Sequence, residues 1–293
     1  MGKALDALLG VLELERIDAD IFRGQNEGSE WFRLFGGQVA AQALGAAQKT
    51  VDDHRVHSLH GYFLRGGDPE IPVTYTVDRI RDGASFTTRR VVAIQNGRAI
   101  FNTSISFHRE EEGFEHQAEM AEVPDPDEMP SWKDRIEALT DRIPEERREW
   151  LRRERPIELR SSLPHGMFSD EPSTGPNHVW IRANGDLPDD PDVHTQLLTY
   201  ASDIAFVDNM YRPHRREGSR GVMLASLDHA IWFHRPVRID EWLLYSQESP
   251  SASGARGFAR GTVHTHGGRL LASVAQEGVM RELDPEKVKR PTG

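Results

Sequence analysis

Apolar and polar positions alternate along this chain with two different periods, and the change of period marks its elements. Leu5, Leu8, Leu9 and Leu12 recur at helical intervals, so Lys3 to Leu12 is predicted to be a short amphipathic helix. A strand is expected around Ile17 to Arg23. After Phe35-Gly36-Gly37-Gln38 the run VAAQALGAAQKTV is Ala-rich and almost without a polar face, which predicts a buried helix. Strand-like segments then follow in series, Val56 to Leu64, Pro72 to Ile80, Phe86 to Ile94 and Ala99 to Phe107. Turn signals at Gly66-Gly67-Asp68, Asp82-Gly83 and Asn96-Gly97 separate them, and Asn-Gly is a strong two-residue hairpin signal. A buried helix followed by consecutive antiparallel strands requires the sheet to curl around the helix, because a flat sheet would leave one apolar face wet.

From Glu110 to Arg160 the pattern changes to charged and Pro-rich sequence, with VPDPDEMP and RREWLRRERP reading as a linker with two surface helices. The earlier order then returns. A strand at Val179 to Arg182 leads to a helix from Asp192 to about Asp208, with Asp190 as cap and Pro191 at the first helical position. Strands follow at Met223 to His234, Trp242 to Glu248, Ala255 to His264 and Leu270 to Met280, and Gly267-Gly268 stands where Asn96-Gly97 stood. Tyr62-Phe63-Leu64-Arg65 matches Trp232-Phe233-His234-Arg235, an offset near 170 residues that continues through the following strands. The expected fold is α+β, a double hotdog of two antiparallel sheets each wrapped around a central helix. Its parts are residues 1–109, a charged linker 110–156, and residues 157–293.

Composition narrows the chemistry. There is no cysteine, which excludes a thiol nucleophile, a disulfide framework, a Cys-ligated zinc and an iron–sulfur cluster. The formal net charge of -11 argues against general nucleic-acid binding. No apolar run approaches the roughly 20 residues of a membrane span, Lys3-Ala4-Leu5-Asp6 does not continue a myristoylation signal, and Pro291-Thr292-Gly293 is not a peroxisomal address. A cytoplasmic protein without a membrane partner is expected.

Familiar catalytic signatures are missing: there is no G-x-S-x-G elbow and no phosphate loop, and the glycines between Gly254 and Gly261 have the wrong spacing for a dinucleotide fingerprint. His264 and His266 share a strand face but have no evident third ligand, so no metal is expected. More informative are polar residues at positions where periodicity predicts burial. Asp203 lies at the border of the stripe formed by Val193, Leu197, Tyr200, Ala201 and Ile204. Ser226 shares a strand face with Leu224, Ala230 and Trp232, and Gln276 shares one with Leu270, Ala272 and Val274. Each alone is satisfied as a surface charge, a small filler or a core amide. On a helix and two facing strands of one hotdog, the three can converge on one point. Aligned by eye with the second half, the first half has Gly45, Val56, and Ile105 or Ser106 near these positions, so the first half is expected to be non-catalytic.

The stretches FRGQNE, FGGQVAAQAL, YFLRGGD, RRVVAIQNGRAIF, VWIRANGDLPDD, YASD, LDHAIWFHRP, EWLLYSQESPSASGARGFARG and ASVAQEGVMR resemble the TesB-like type II acyl-CoA thioesterases over nearly the whole chain, apart from Glu110 to Arg155. The resemblance implies hydrolysis of medium- to long-chain fatty acyl-CoA to free acid and CoA, without a cofactor. It implies a catalytic water held by Asp203 in YASD, Ser226 in ASLDH and Gln276 in AQEGVM. An aspartate accepts the proton of a water whose own pKa is near 15.7, while a hydroxyl and an amide orient it. The CoA phosphates call for basic residues beside the acyl channel, and Arg65, Arg90, Arg256 and Arg260 are candidates. The resemblance also implies a homodimer, with a tetramer as the larger alternative. Two other readings stay open: a hotdog-type enoyl-CoA hydratase, disfavoured because Asp208 rather than histidine stands five residues after Asp203, and a non-catalytic acyl-CoA binding protein.

Overall fold

The computed structural model describes residues 2–26, 33–143, 145–163, 171–216 and 221–283. The Pro291-Thr292-Gly293 tail and Glu27 of FRGQNE lie outside them. Helix α1 (Lys3–Leu12) buries Leu5, Leu8, Val11 and Leu12, the stripe read from the sequence with Val11 in place of Leu9. The strand expected at Ile17 to Arg23 is instead a tight hairpin, β1 (Glu15–Asp18) and β2 (Ile21–Gly24). Helix α2 (Gly36–Gln48) is buried at every residue from Gly37 onward. Strands β3 (Arg55–Phe63), β4 (Val73–Asp82), β5 (Phe86–Gln95) and β6 (Arg98–His108) complete the first half. At the β5–β6 turn Asn96 and Gly97 take φ of 49° and 70°, the left-handed pair that a two-residue hairpin requires.

After an extended segment come two short helices, α3 (Trp132–Ala138), which opens on a capping box at Ser131 and Asp134, and α4 (Glu145–Arg152). They are more than a solvated face: Ile136, Leu139, Ile143 and Leu151 form a small core of their own. The extended segment is also tied down, with Gln117 bonded to Gly268 and Leu270, and Met129 buried against Trp180 and Leu244.

The second half contains β7 (Ile157–Ser161), β8 (Asn177–Ala183), α5 (Pro191–Ser202), α6 (Asp208–Tyr211), β9 (Val222–Ser226), β10 (Asp228–Phe233), β11 (Leu243–Ser253), β12 (Arg256–Thr265) and β13 (Leu270–Glu282). Asp190 caps α5 by accepting from the Asp192 N–H at 2.9 Å, with Pro191 in the first turn, as the sequence predicts. The helix does not run on to Asp208. It ends at Ser202, and Ala205 takes a left-handed φ of 55°, which no continuous helix accommodates. Asp203 is therefore the C-cap rather than a flank position.

The two sheets expected from the sequence are one. Thirteen strands form a continuous hydrogen-bonded sheet whose main path runs β1-β2-β4-β5-β6-β3-β10-β13-β12-β11-β8-β7, with β9 added on β13. Read outward from the β3–β10 pair, the halves have the same strand order, which is the structural form of the duplication. Across that pair His60 faces Ala230, its own counterpart at the 170-residue offset, so a pseudo-twofold passes between them.

The strand expected from Met223 to His234 is broken at Leu227. The Leu227 N–H donates to Glu277 (2.8 Å) and its carbonyl accepts from Phe63 (2.9 Å). Beyond this bend the alternation reverses. His229, Ile231 and Phe233 face inward, whereas Trp232, which periodicity placed inside, is 36% exposed.

The central helices α2 and α5 pack antiparallel. Gln48 at the end of α2 donates to Asp192 and Thr195 at the start of α5 (both 3.0 Å) and accepts from Gln196 (2.8 Å). At the other end a Cβ on Gly37 would stand 2.6 Å from the Tyr200 carbonyl. The small residues of α2 permit this approach, while buried Val39 and Leu44 each contribute about 1.5–3 kcal/mol of apolar transfer. Among the described residues no helix is long and apolar enough to cross a membrane.

Candidate active site

Antiparallel packing brings the C-terminus of α5 onto the N-terminus of α2, and Asp203 is the residue at that junction. The first three N–H groups of a helix have no intrahelical acceptor, and the N-cap of α2, Phe35, offers no side-chain bond. The Asp203 carboxylate lies against this end: a Cβ on Gly36 would be 2.8 Å from its Oδ2, and the Gly37 N–H donates toward it. A carboxylate of the second half thus faces the positive end of the first half's helix. Burial nevertheless raises the Asp203 pKa above the ordinary carboxylate value, against the lowering effects of His229, the Gln276 amide and the Gly37 N–H.

Ser226 ends β9 just before the Leu227 bend and is half-buried. Gln276, fully buried on the inner face of β13, donates from Nε2 to Ser226 Oγ and supplies a side-chain hydrogen bond to Asp203. The structure therefore brings the three sequence-predicted residues together around the Gln276 amide. Next to them stands His229, 1% exposed, with Nδ1 2.8 Å from Gln276 Oε1 and Nε2 2.9 Å from Ser202 Oγ. Sequence reasoning missed His229 because strict alternation put Ala230 and Trp232 on the face of Ser226 and so His229 on the other; its signal was a polar residue three positions after Ser226. It also missed Gly36-Gly37, whose signal was a glycine pair opening a buried helix.

The deciding comparison is with family models. Residues 28–108 match the acyl-CoA thioesterase N-terminal domain and residues 147–279 match acyl-CoA thioesterase. The chain belongs to the TesB-like acyl-CoA thioesterase family. Acyl-CoA thioesterase 2 of Haemophilus influenzae is 36% identical over 96% of this chain and 99% of its own. Human acyl-coenzyme A thioesterase 8 is 40% identical over 92% of this chain and 88% of its own. The solved acyl-CoA thioesterase II TesB2 of Mycobacterium marinum is 39% identical and superposes with a TM-score of 0.78, covering 94% and 99% of the two chains. A hot dog fold protein from Alicyclobacillus acidocaldarius at 20% identity has the same fold, with a TM-score of 0.77.

The thioesterase is thus an enzyme acting on acyl-CoA, and the four arginines expected beside its acyl channel stand in two different settings. Arg256 and Arg260 lie on β12 on the face opposite buried Ala259, the partner of Gln276, and pair with Glu277 (2.8 Å) and Glu248 (2.6 Å). Arg90 is likewise exposed and pairs with Asp78 (2.7 Å). Strand alternation points all three outward. Arg65 differs: it follows Phe63, whose ring would touch a Cβ on Gly36, and it donates to Ala99 (2.7 Å) while exposed. His264, cross-strand from Leu244, is buried, whereas His266 is exposed, lying 5.3 Å from the Trp180 ring and pairing with Asp125 (2.9 Å). Asp208, at the position where a hydratase would have histidine, is held by Arg215 at 2.6 and 2.5 Å.

Proposed function

We propose that this thioesterase hydrolyses medium- to long-chain fatty acyl-CoA by direct attack of a water held by Asp203, Ser226 and Gln276. The observation that carries the reading is a buried carboxylate, raised in pKa, that lies on a helix N-terminus and is joined through the Gln276 amide to the Ser226 hydroxyl. Asp203 takes a proton from the water as its oxygen bonds to the thioester carbon. The Ser226 hydroxyl and a Gln276 N–H, which exchanges one of its present bonds for the water, hold the lone pair on line. The carbonyl oxygen becomes an oxyanion, for which we assign the N–H groups opening α2 as donors. Collapse breaks the C–S bond, and the departing thiolate takes the proton from Asp203, leaving free acid and CoA. No acyl-enzyme forms. A raised pKa serves this cycle, since a base nearer the working pH takes the proton with less driving force lost.

A cavity lined by Leu159, Val179, Ile181 and Ile204, with Arg155 and Arg212 also on its wall, lies against the end of α5, and its apolar side is our choice for the acyl group. Arg65, two residues after the Phe63 whose ring meets Gly36, is our choice for a CoA phosphate contact. We read the protein as cytoplasmic and the assembly as a homodimer, which light scattering tests. The functional test is release of free thiol from acyl-CoAs of graded chain length. Asp203→Asn should lower turnover by about 10² or more with folding intact; undiminished release by that variant would remove Asp203 from the mechanism.

A further inference from the structure

Across β10 and β13 Ala230 is paired with Ala275, so the next position inward joins His229 to Gln276. Across β3 and β6 His60 is paired with Ser104, and the next position inward joins Leu59 to Ile105. Because His60 and Ala230 are counterparts about the pseudo-twofold, Leu59 and Ile105 occupy in the first half the places of His229 and Gln276 in the second. Leu59 and Ile105 are both fully buried. The fold therefore builds this spot from plain hydrocarbon, and the polar pair is not required for packing. Burying an imidazole and an amide there costs free energy unless every donor and acceptor is matched.

We propose that His229 is a positioning residue that holds the Gln276 amide in its working orientation, an inference that rests on Gln276 holding the catalytic water. An amide has two unlike ends. With Nε2 toward Asp203 and Ser226 it donates to both; turned over, its oxygen would confront a carboxylate. The choice is made at the other end, where Oε1 accepts from His229 Nδ1 at 2.8 Å. Oε1 has no proton to give, so Nδ1 carries one. The Ser202 hydroxyl has a single proton and two acceptors in reach, His229 Nε2 at 2.9 Å and the Thr199 carbonyl at 2.9 Å. Pointed at His229 it leaves a neutral ring with its proton on Nδ1; pointed at Thr199 it requires a ring protonated on both nitrogens. In each case the Nδ1–H that orients Gln276 is present. Ser202 immediately precedes Asp203, so the relay links the base and the amide through one buried ring.

The first half supplies the design of the test. Gln276→Ile, His229→Leu and the double variant convert this spot stepwise to the Leu59–Ile105 pair, so the double variant is expected to fold. Gln276→Ile should lower kcat about 10²-fold, and His229→Leu about tenfold or more with KM within threefold. The double variant should be about as slow as Gln276→Ile, since the loss at His229 is carried by that amide, while the ring's own effect on the Asp203 pKa would show separately as a shift of the acidic limb. His229→Asn, which keeps an N–H donor near the Nδ1 position, should return kcat to within about threefold of the unmodified enzyme. Nitrogen NMR of the 15N-histidine-labelled protein should find Nδ1 of His229 protonated, a measurement independent of whether any variant folds. Folded His229→Leu with full kcat, losses that multiply in the double variant, or a bare Nδ1 would each overturn the assignment. Gln276→Ile with full kcat would instead remove Gln276 from the water site, and the inference with it.

Discussion

Gly36→Ala tests how closely the two halves must fit for the base to work. The added Cβ would lie 2.8 Å from Asp203 Oδ2 and 2.8 Å from the Phe63 ring, where ordinary contact begins at 3.4 Å. Both neighbours must therefore retreat by about 0.6 Å, the difference between those two distances. The ring is backed by Phe101, its centroid 4.8 Å away, and the carboxylate is engaged by the Gln276 amide, so neither has free space behind it. Catalytic groups need placement within about 0.5 Å, and a 1 Å error costs about 10² in rate. A drop of about tenfold in kcat is expected. Overpacking costs about 1–3 kcal/mol, and the better helix propensity of alanine offsets up to about 1 kcal/mol. The net loss is about 1 kcal/mol, or about 3 °C in Tm for a chain of this size. Gly45→Ala is the control on the same helix, because its Cβ would meet only the flexible end of Gln196 at 3.2 Å; it should keep full activity and an equal or higher Tm. The readouts are thiol release with a chromogenic thiol reagent and thermal unfolding. Folded Gly36→Ala with the kcat of the control would refute the claim that α2 and Asp203 form one site.

The pH profile of kcat/KM should have an acidic limb set by Asp203, lying above the ordinary value of about 3.9 because burial raises this carboxyl; activity rises as pH passes through that limb, and Asp203→Asn should abolish it. The same raised pKa means that the folded state binds the proton more tightly than the unfolded chain. Ionised Asp203 therefore costs stability at neutral pH, and the cost fades as pH falls through the folded pKa. Asp203→Asn, which keeps a capping side chain, should unfold no lower in temperature than the unmodified protein at pH 7–8, with any advantage shrinking on acidification. Arg89 is 1% exposed, bonded to Thr50 Oγ1 (2.9 Å) and the Thr50 carbonyl (3.0 Å) and paired with Asp82 (2.5 Å); Arg89→Ala should lower stability by about 1–3 kcal/mol, the cost of leaving the buried Thr50 groups without a partner, in a denaturant titration while kcat of the folded fraction holds. Arg65→Ala should raise KM for acyl-CoA severalfold at constant kcat, whereas Arg256→Ala, on the outer face, should leave KM within about twofold; the reverse order in a steady-state comparison would reassign the CoA path.

Much of this was legible in the chain because local patterns report local structure. The Leu5, Leu8 and Leu12 stripe, the Asp190-Pro191 cap and the Asn96-Gly97 hairpin each depend on residues a few positions apart, and each is present in the structure. The 170-residue offset carried the duplication. Asp203, Ser226 and Gln276 stood out as polar residues at buried periodic positions. What periodicity could not carry was any interruption of period. Leu227 bends its strand because its N–H and carbonyl are taken by Glu277 and Phe63, residues distant in sequence, and that bend turns His229 inward and Trp232 outward. The end of α5 at Ser202 is another such interruption, and it moves Asp203 from the side of a helix to its tip.

The sequence by itself therefore determined the elements, the repeat and the residue types that carry the chemistry, since these follow from spacing along one chain. Only the tertiary structure decided that the two sheets are one, that Asp203 of one half meets Gly36-Gly37 of the other, and that a buried histidine faces the Gln276 amide. Those are contacts between segments some 50 to 170 residues apart, set by the antiparallel packing of α2 on α5 and by the β3–β10 pair, and no local period records them.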